Sequence, residues 1–241
     1  MKAAADGALF ASYNVHKCVG VDRRFDPERI GAVIAEIGAD VLAVQEADRR
    51  FGDRAGLLDL AAIERDAGLV PLPVETDHAG NGWHGNMIFV REGLLRDLRQ
   101  VTLPGLEPRG ALVADLDLAA GPVRVVGAHL GLLRQSRRIQ IDRLLLHAAE
   151  AAERPTVLMG DFNEWRHGRR SALHGFSPGF GPLGLGAPSF PSYFPVLALD
   201  RIIARPGQIL GHVAAHDSPL ARKASDHLPI KARVRLAKPK G

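Results

Sequence analysis

The chain has 241 residues, a net charge of +4, 46% hydrophobic residues and one cysteine, with a sequence pI near 9.6. This length suffices for one sizeable core, the lone Cys18 excludes an intrachain disulfide or thiolate cluster, and no run approaches the ~20 apolar residues of a membrane-spanning helix. The basic balance suits an anionic substrate such as a nucleic acid, a phospholipid surface or a phosphorylated small molecule.

Met1 to Phe10 is interrupted by Asp6 and Gly7 and lacks the apolar core of a signal peptide, so the default expectation is a cytoplasmic protein. Ala8 to Val15 reads as a first strand with Asn14 near its exit. Asp26-Pro27-Glu28-Arg29 then reads as an N-cap with proline at the first helical position, and Ile30, Val33, Ile34 and Ile37 form an apolar stripe closed by Gly38. Asp40 to Gln45 reads as a short strand buried on both faces, with Glu46 at its exit. Leu57, Leu58, Leu60, Ala61 and Ile63 predict a second helix before Gly68, and Pro71 and Pro73 break regular structure. Met87 to Val90, Leu95 to Thr102 and Ala111 to Leu118 read as strands, the last turning at Ala120-Gly121-Pro122 into Val123 to Ala128, a hairpin-rich, largely antiparallel region. Arg137 to Glu153 places Ile141, Leu144, Leu145 and Ala148 at helical spacing, and Pro155 marks the exit into Val157-Leu158-Met159. Gly175 to Pro195 reads as a loop; with Asp161 and Asn163 before it and Asp200 after it, it is expected to border a site. Ala198 to Ala204, Ile209 to Ala214 and Ile230 to Leu236 read as the closing strands.

Residues with acidic, amide and imidazole groups recur where apolar runs end: Glu46, His129, Gly160-Asp161-Phe162-Asn163 and Ser225-Asp226-His227. Catalytic groups gather on loops held by a rigid scaffold, and such a set can hydrolyse a phosphate ester. If Asn14 and His227 serve one site, residues 1–241 fold around it as a single domain.

Asn14 in Ser12-Tyr13-Asn14-Val15-His16, Gln45-Glu46, Ala128-His129-Leu130, Gly160-Asp161-Phe162-Asn163, Leu199-Asp200-Arg201-Ile202 and Ser225-Asp226-His227 follow the order and approximate spacing of the endonuclease/exonuclease/phosphatase superfamily. The chain resembles small bacterial members of that superfamily over nearly its whole length. The resemblance implies an α+β fold, a four-layer α/β/β/α sandwich of two packed, mostly antiparallel or mixed sheets, and metal-dependent hydrolysis of phosphate esters.

Phosphodiester hydrolysis needs a cation, an activated water and a proton donor. Glu46 is the carboxylate chosen for the cation, since Mg²⁺ is often held by one or two protein carboxylates, with Mn²⁺ as an alternative. The resemblance adds Asn14 to this metal set, and Asp226 is placed near the metal as a direct or water-mediated ligand. Asp161 and Asn163, two residues apart, point the same way on an extended segment, although an Asx turn capping the strand would also explain them. The resemblance makes Asp161 the group that orients or deprotonates water and Asn163 a donor to phosphate. His227 is the candidate for stabilising developing charge, and Asp200 for holding its imidazole in one tautomer and favouring its protonated form. His129 is the candidate general acid for the leaving oxygen. Asn86 and Arg109 resemble further substrate-binding positions. His16 stands where repair nucleases of the superfamily carry an acidic residue; either the cation relies on Glu46 and Asp226, or His16 contacts phosphate.

The leading expectation is a Mg²⁺-dependent phosphodiesterase with nucleic acid as the first substrate candidate. A phospholipid or small phosphorylated metabolite comes second, with Phe190, Tyr193 and Phe194 as an apolar wall or surface contact. A non-catalytic scaffold comes third, and no protein partner is expected.

Overall fold

The computed structural model describes residues 7–49, 55–76, 80, 82–149, 154–181 and 183–237. Strand β1 (Ala8–Asn14) leads to helix α1 (Pro27–Ile37). The Asp26 carboxylate accepts from the Arg29 N–H at 2.9 Å to start the helix, and Gly38 ends it in the left-handed region, with φ 64°. Strand β2 (Val41–Gln45) is buried along its whole length. Helix α2 (Leu60–Ala67) starts after Leu57 and Leu58, because Asp59 caps it at the Ala62 N–H. Strands β3 (Val70–Pro71) and β4 (Met87–Val90) follow, and then β5 (Leu94–Leu103), β6 (Arg109–Leu118) and β7 (Gly121–His129) form the expected meander. Helix α3 (Arg134–Ala149) begins three residues ahead of Arg137; its expected last residues, 150–153, lie outside the described residues. Strand β8 (Thr156–Asp161) ends on the Gly-Asp motif.

Two stretches depart from the sequence reading. The expected loop from Gly175 begins inside a 3₁₀ helix, Ala172–Phe176, and continues as the helical turn α4 (Ser177–Phe180). Leu173, Phe176 and Phe180 recur at helical spacing and are buried, and the ring of Phe176 lies 5.8 Å from those of both Phe162 and Phe180. Packing prevails over glycine and proline punctuation here, and Pro178 is tolerated in a first turn. Beyond β9 (Asp200–Arg205), the strand expected over Ile209 to Ala214 is reduced to a 3₁₀ turn at Gly207–Ile209, a single bridge from Leu210 to Val234, and the two-residue β10 (Ala214–Ala215). An edge segment has one neighbour, so its length is set by where that neighbour meets it. Helix α5 (Ala221–Ala224) and β11 (Ile230–Val234) complete the elements.

The strands form two mixed sheets, ordered β10-β11-β1-β2-β4-β3 and β5-β6-β7-β8-β9. Phe10, Val41, Ala43 and Ile88 of the first sheet meet Leu112, Val125, Val157 and Met159 of the second in a common core. The outer face of the first sheet is covered by Ile30, Val33 and Ile34 of α1 and Ile63 of α2. Ile141 and Leu144 of α3, with Phe176 and Phe180, cover the outer face of the second. This is the four-layer α/β/β/α sandwich. No helix among the described residues is long and apolar enough to cross a membrane.

Candidate active site

Each sheet contains one parallel pair, β1 with β2 and β7 with β8, and each pair is joined through a helix. Asn14, Glu46, His129 and Asp161 all stand at the C-terminal ends of these strands. The antiparallel neighbours deliver their N-terminal ends to the same place: Asp200 pairs with Asp161, Arg109 opens the strand opposite the end of β7, and His227 lies just ahead of β11, which pairs with β1. The Asn14 amide donates to Asp161 Oδ2 at 2.9 Å across 147 residues of chain, so the two parallel pairs point their ends at one site.

Gly160 is required by this convergence. Its φ is 153°, and a Cβ there would sit 1.7 Å from the Ala128 carbonyl oxygen, inside any allowed contact. Asp161 then divides its oxygens. Oδ1 accepts from the Asn163 N–H at 2.9 Å, an Asx turn. Oδ2 accepts from Asn14 and lies 3.4 Å from His129 Nε2 and 3.8 Å from His227 Nε2. Asn163 is therefore not on an extended segment; it sits at φ 50°, and its amide donates to the Leu130 carbonyl at 2.9 Å while lying 3.1 Å from His129 Nε2. Glu46, at φ 58°, is also in the left-handed region, and non-glycine residues held there cluster at functional sites.

The two imidazoles have opposite environments. Burial pushes His129 down to about 4, with Asp161 opposing and Arg109 adding to the effect. Arg109 lies 3.0 Å from His129 Nδ1 and can only donate, so the neutral ring carries its proton on Nε2, where Asp161 Oδ2 at 3.4 Å can accept it and the Asn163 amine at 3.1 Å cannot. Burial also opposes a charge on His227, but Asp200 and Asp161 outweigh it and raise that imidazole to about 10. Its Nδ1 donates to Asp200 Oδ2 at 2.8 Å. At neutral pH His129 is uncharged and His227 is an imidazolium.

Glu46 Oε2 receives the Lys17 ammonium at 2.5 Å, and the two residues line one depression with Asp48, His84, Arg109 and His129. Burial opposes ionisation of Glu46, but His129, Lys17 and His16 outweigh it and hold the carboxyl at about 2. Because His129 is uncharged at neutral pH, Lys17 carries most of that effect there. His16 donates from Nδ1 to the Val19 carbonyl at 2.9 Å and lies 3.6 Å from Asp226 Oδ1. Asn86 spends its amine on the carbonyls of Trp83, His84 and Gly110, and its Oδ1 is buried without a hydrogen-bond partner.

Two places among the described residues could hold a cation. Glu46 already accepts a cationic group, and Asp226 is half-buried nearby in chain order to His227. Asp161, Asp200 and His227 each offer one donor atom within 4.8 Å of the others. Ligation by His227 through either ring nitrogen would require a neutral ring, and through Nδ1 would also sacrifice its bond to Asp200, so the carboxylate position at Glu46 fits Mg²⁺ better.

Several supporting residues escape motif reading. Ser189 donates to Asp200 Oδ2 at 2.5 Å, and the Phe190 ring centroid lies 5.0 Å from that of His227, so the 175–195 region does border the site. Ser225 donates to the Asn14 carbonyl at 2.7 Å. Glu107 accepts from Arg109 at 2.8 Å, placing a carboxylate one residue removed from His129. The fully buried Arg137 and Glu164 pair at 3.3 Å and brace the segments after β7 and β8. Nothing in the spacing of Ser189 along the chain indicates a bond to Asp200.

The model of the Endonuclease/Exonuclease/phosphatase family matches residues 11–227. YbhP of Escherichia coli K12, an uncharacterized protein, is 32% identical over 166 residues, a stretch covering 64% of this chain and 64% of YbhP. The chain thus matches just under two-thirds of that relative's length. An endonuclease/exonuclease/phosphatase from Beutenbergia cavernae shares the fold with a TM-score of 0.69 and 22% identity, over 97% of this chain and 72% of that one. The mannosyl-6-phosphatase Bt3783 of Bacteroides thetaiotaomicron does so with a TM-score of 0.66 and 16% identity, over 94% of this chain and 99% of that one. With the family model covering most of its length, the chain belongs to the endonuclease/exonuclease/phosphatase family.

Proposed function

We propose that this protein is a divalent-cation-dependent phosphodiesterase that cleaves its ester by in-line attack of water. Family membership supports a phosphoesterase- or nuclease-type hydrolase; the finer reading rests on one observation. Asp161 Oδ2 is flanked by two imidazoles held in opposite protonation states, His129 at about 4 and His227 at about 10. Environments that push two titratable groups apart mark a division of labour in acid and base chemistry.

In this reading Asp161, whose two oxygens are fixed by Asn14 and Asn163, orients the attacking water and takes up its proton as the new P–O bond forms and the ester P–O bond breaks. His227 stabilises the charge that develops on the phosphoryl oxygens. Its Nε2 is 3.8 Å from Asp161, beyond hydrogen-bond reach, so that N–H remains available to substrate. Of these two imidazoles His227 is the protonated one at neutral pH, so proton delivery to the leaving oxygen passes to it from His129. His129, held by Arg109, then positions Asp161. Glu46 and Asp226, with Asn14, are the residues that would hold Mg²⁺ or Mn²⁺, and a bound cation would supply neutralisation of phosphate charge.

A basic protein suits a polyanion, either nucleic acid or anionic lipid. The fold likeness to a mannosyl-6-phosphatase supports a phosphorylated metabolite as a second reading. The test is a panel of duplex DNA, abasic DNA, RNA, phospholipids, inositol phosphates and mannose 6-phosphate with Mg²⁺ or Mn²⁺. Metal-dependent turnover of one diester class is expected. Undiminished turnover in excess chelator, or cleavage of monoesters only, would overturn the proposal.

A further inference from the structure

The strand registers that collect the catalytic residues also gather the surrounding loops at one end of the sandwich, and that end carries protruding apolar side chains. Leu106, in the turn between β5 and β6, is 83% exposed. Leu132 and Leu133 are exposed after β7, and Trp165 after β8. Ahead of β9, Tyr193 and Phe194 are 64% and 68% exposed.

These tips are built on braced segments. The Ser192 N–H bonds the Asp226 carbonyl at 2.7 Å, its hydroxyl bonds the Ser225 carbonyl at 2.6 Å, and the Phe194 N–H closes a turn onto Pro191 at 3.0 Å. Tyr193 and Phe194 therefore stand on a turn tied to the segment that carries His227. Across the site, Arg137 donates to the Leu132 carbonyl at 2.6 Å, and its guanidinium lies 5.9 Å from the Trp165 ring, so Leu132 and Trp165 share one rim.

Exposed cations are interleaved with these tips: Arg166, Arg169 and Arg170 after β8, and Arg23, Arg24 and Lys223 beside Val21, whose N–H bonds the Lys223 carbonyl. Acidic groups on the same loops are turned onto protein partners, Asp217 to Arg222, Glu164 to Arg137 and, at 3.9 Å, Arg166, and Asp22 to Arg29 and, at 3.8 Å, Lys223, which leaves Arg23, Arg24, Arg169 and Arg170 as the more open cations. Apolar tips with basic residues between them are the composition of a surface that lies in a lipid headgroup layer.

We propose that this end of the sandwich seats on an anionic phospholipid surface, with the apolar tips entering the headgroup region and the arginines meeting lipid phosphates. The proposal builds on the phosphodiesterase reading, because seating there places the mouth of the site against headgroup esters and ranks phospholipid ahead of nucleic acid. A single strand rewards a run of open aromatic faces; Tyr193 and Phe194 offer two on one turn, but Leu106, Leu132 and Leu133 offer none, and the Trp165 ring already faces Arg166 at 4.8 Å. A second copy would bring two basic faces together, which repel.

The test is co-sedimentation with sucrose-loaded vesicles of phosphatidylcholine, alone or with about one-third phosphatidylglycerol, at about 0.15 M salt without divalent cations. The full chain should partition at least ~10-fold more strongly onto the anionic vesicles. Tyr193→Ser with Phe194→Ser, and separately Leu132→Ser with Leu133→Ser, should each weaken partitioning by about 10-fold or more. Arg166→Glu with Arg169→Glu should remove the preference for phosphatidylglycerol. Thermal melts by circular dichroism identify any pair that fails to fold, and the remaining pairs then decide. Wild-type protein that ignores both vesicle types, or folded variants that bind as wild type does, would overturn the proposal. So would capture of a labelled single-stranded oligonucleotide, or a concentration-dependent dimer, abolished by the same substitutions in a protein that leaves vesicles unbound. Turnover is not read, so failure here leaves the phosphodiesterase reading standing, and inactivity on diesters leaves the binding result standing.

Discussion

Asp200→Asn isolates the charge behind the His227 imidazolium while nearly preserving shape. In the wild type, burial opposes that charge, and Asp200, acting both through space and through its 2.8 Å hydrogen bond, leads the groups that raise the ring from 6.5 to about 10. That rise corresponds to roughly 5 kcal/mol in favour of the protonated form. With Asp200 neutral, the same burial remains, opposed mainly by Asp161, and the ring should titrate well below its wild-type range. At pH 8 the wild type then keeps an imidazolium and the variant does not. Turnover at pH 8 should fall about 10²- to 10³-fold and partly recover as the pH is lowered towards 6, where the variant ring protonates again. Long-range ¹H–¹⁵N correlation spectra of ¹⁵N-histidine-labelled protein, followed from pH 5 to pH 10.5, read the ring state at first hand. A wild-type His227 titrating near 6.5, an unchanged ring in the variant, or an activity loss indifferent to pH would refute the reasoning.

The same shifts set a stability profile. Folded His227 is raised to about 10, so its contribution is complete below pH 6.5 and is lost as pH rises towards 10; folded His129 is depressed to about 4, so its contribution is complete above pH 6.5 and is lost as pH falls towards 4. Urea unfolding should therefore show a maximum near pH 6.5 with His227→Gln flattening the alkaline limb, and a wild-type curve still rising at pH 9 would contradict this. Glu46→Gln removes the charge facing Lys17 and should weaken Mn²⁺ binding, followed by electron paramagnetic resonance, at least about 10-fold; unchanged binding would move the cation site elsewhere. Gly160→Ala drives a Cβ into the Ala128 carbonyl and should cost more than about 4 kcal/mol, leaving little soluble folded protein. A wild-type melting curve for that variant would show that the β7–β8 approach is wrong.

Much of the architecture is local and so could be read along the chain. The α1 stripe, its Asp26 cap and its Gly38 stop depend on neighbours within a few residues, and the apolar runs of β1, β2, β7 and β8 announce buried strands wherever they are placed. The residues at the ends of those runs could be named for the same reason, and their ordered set carried the family resemblance. Contacts between distant segments could not be read. The Asn14 amide meets Asp161 across 147 residues, Ser189 meets Asp200 from a stretch without regular pattern, and Lys17 meets Glu46 only because β1 and β2 lie side by side. Protonation states likewise belong to the fold. His129 and His227 are the same residue type, yet burial beside Arg109 keeps one neutral, whereas Asp200 and Asp161 charge the other against its burial. Sequence fixes which groups exist and roughly which element carries each, whereas desolvation and charge proximity arise only when the two sheets close, and it is these that decide which group holds a proton.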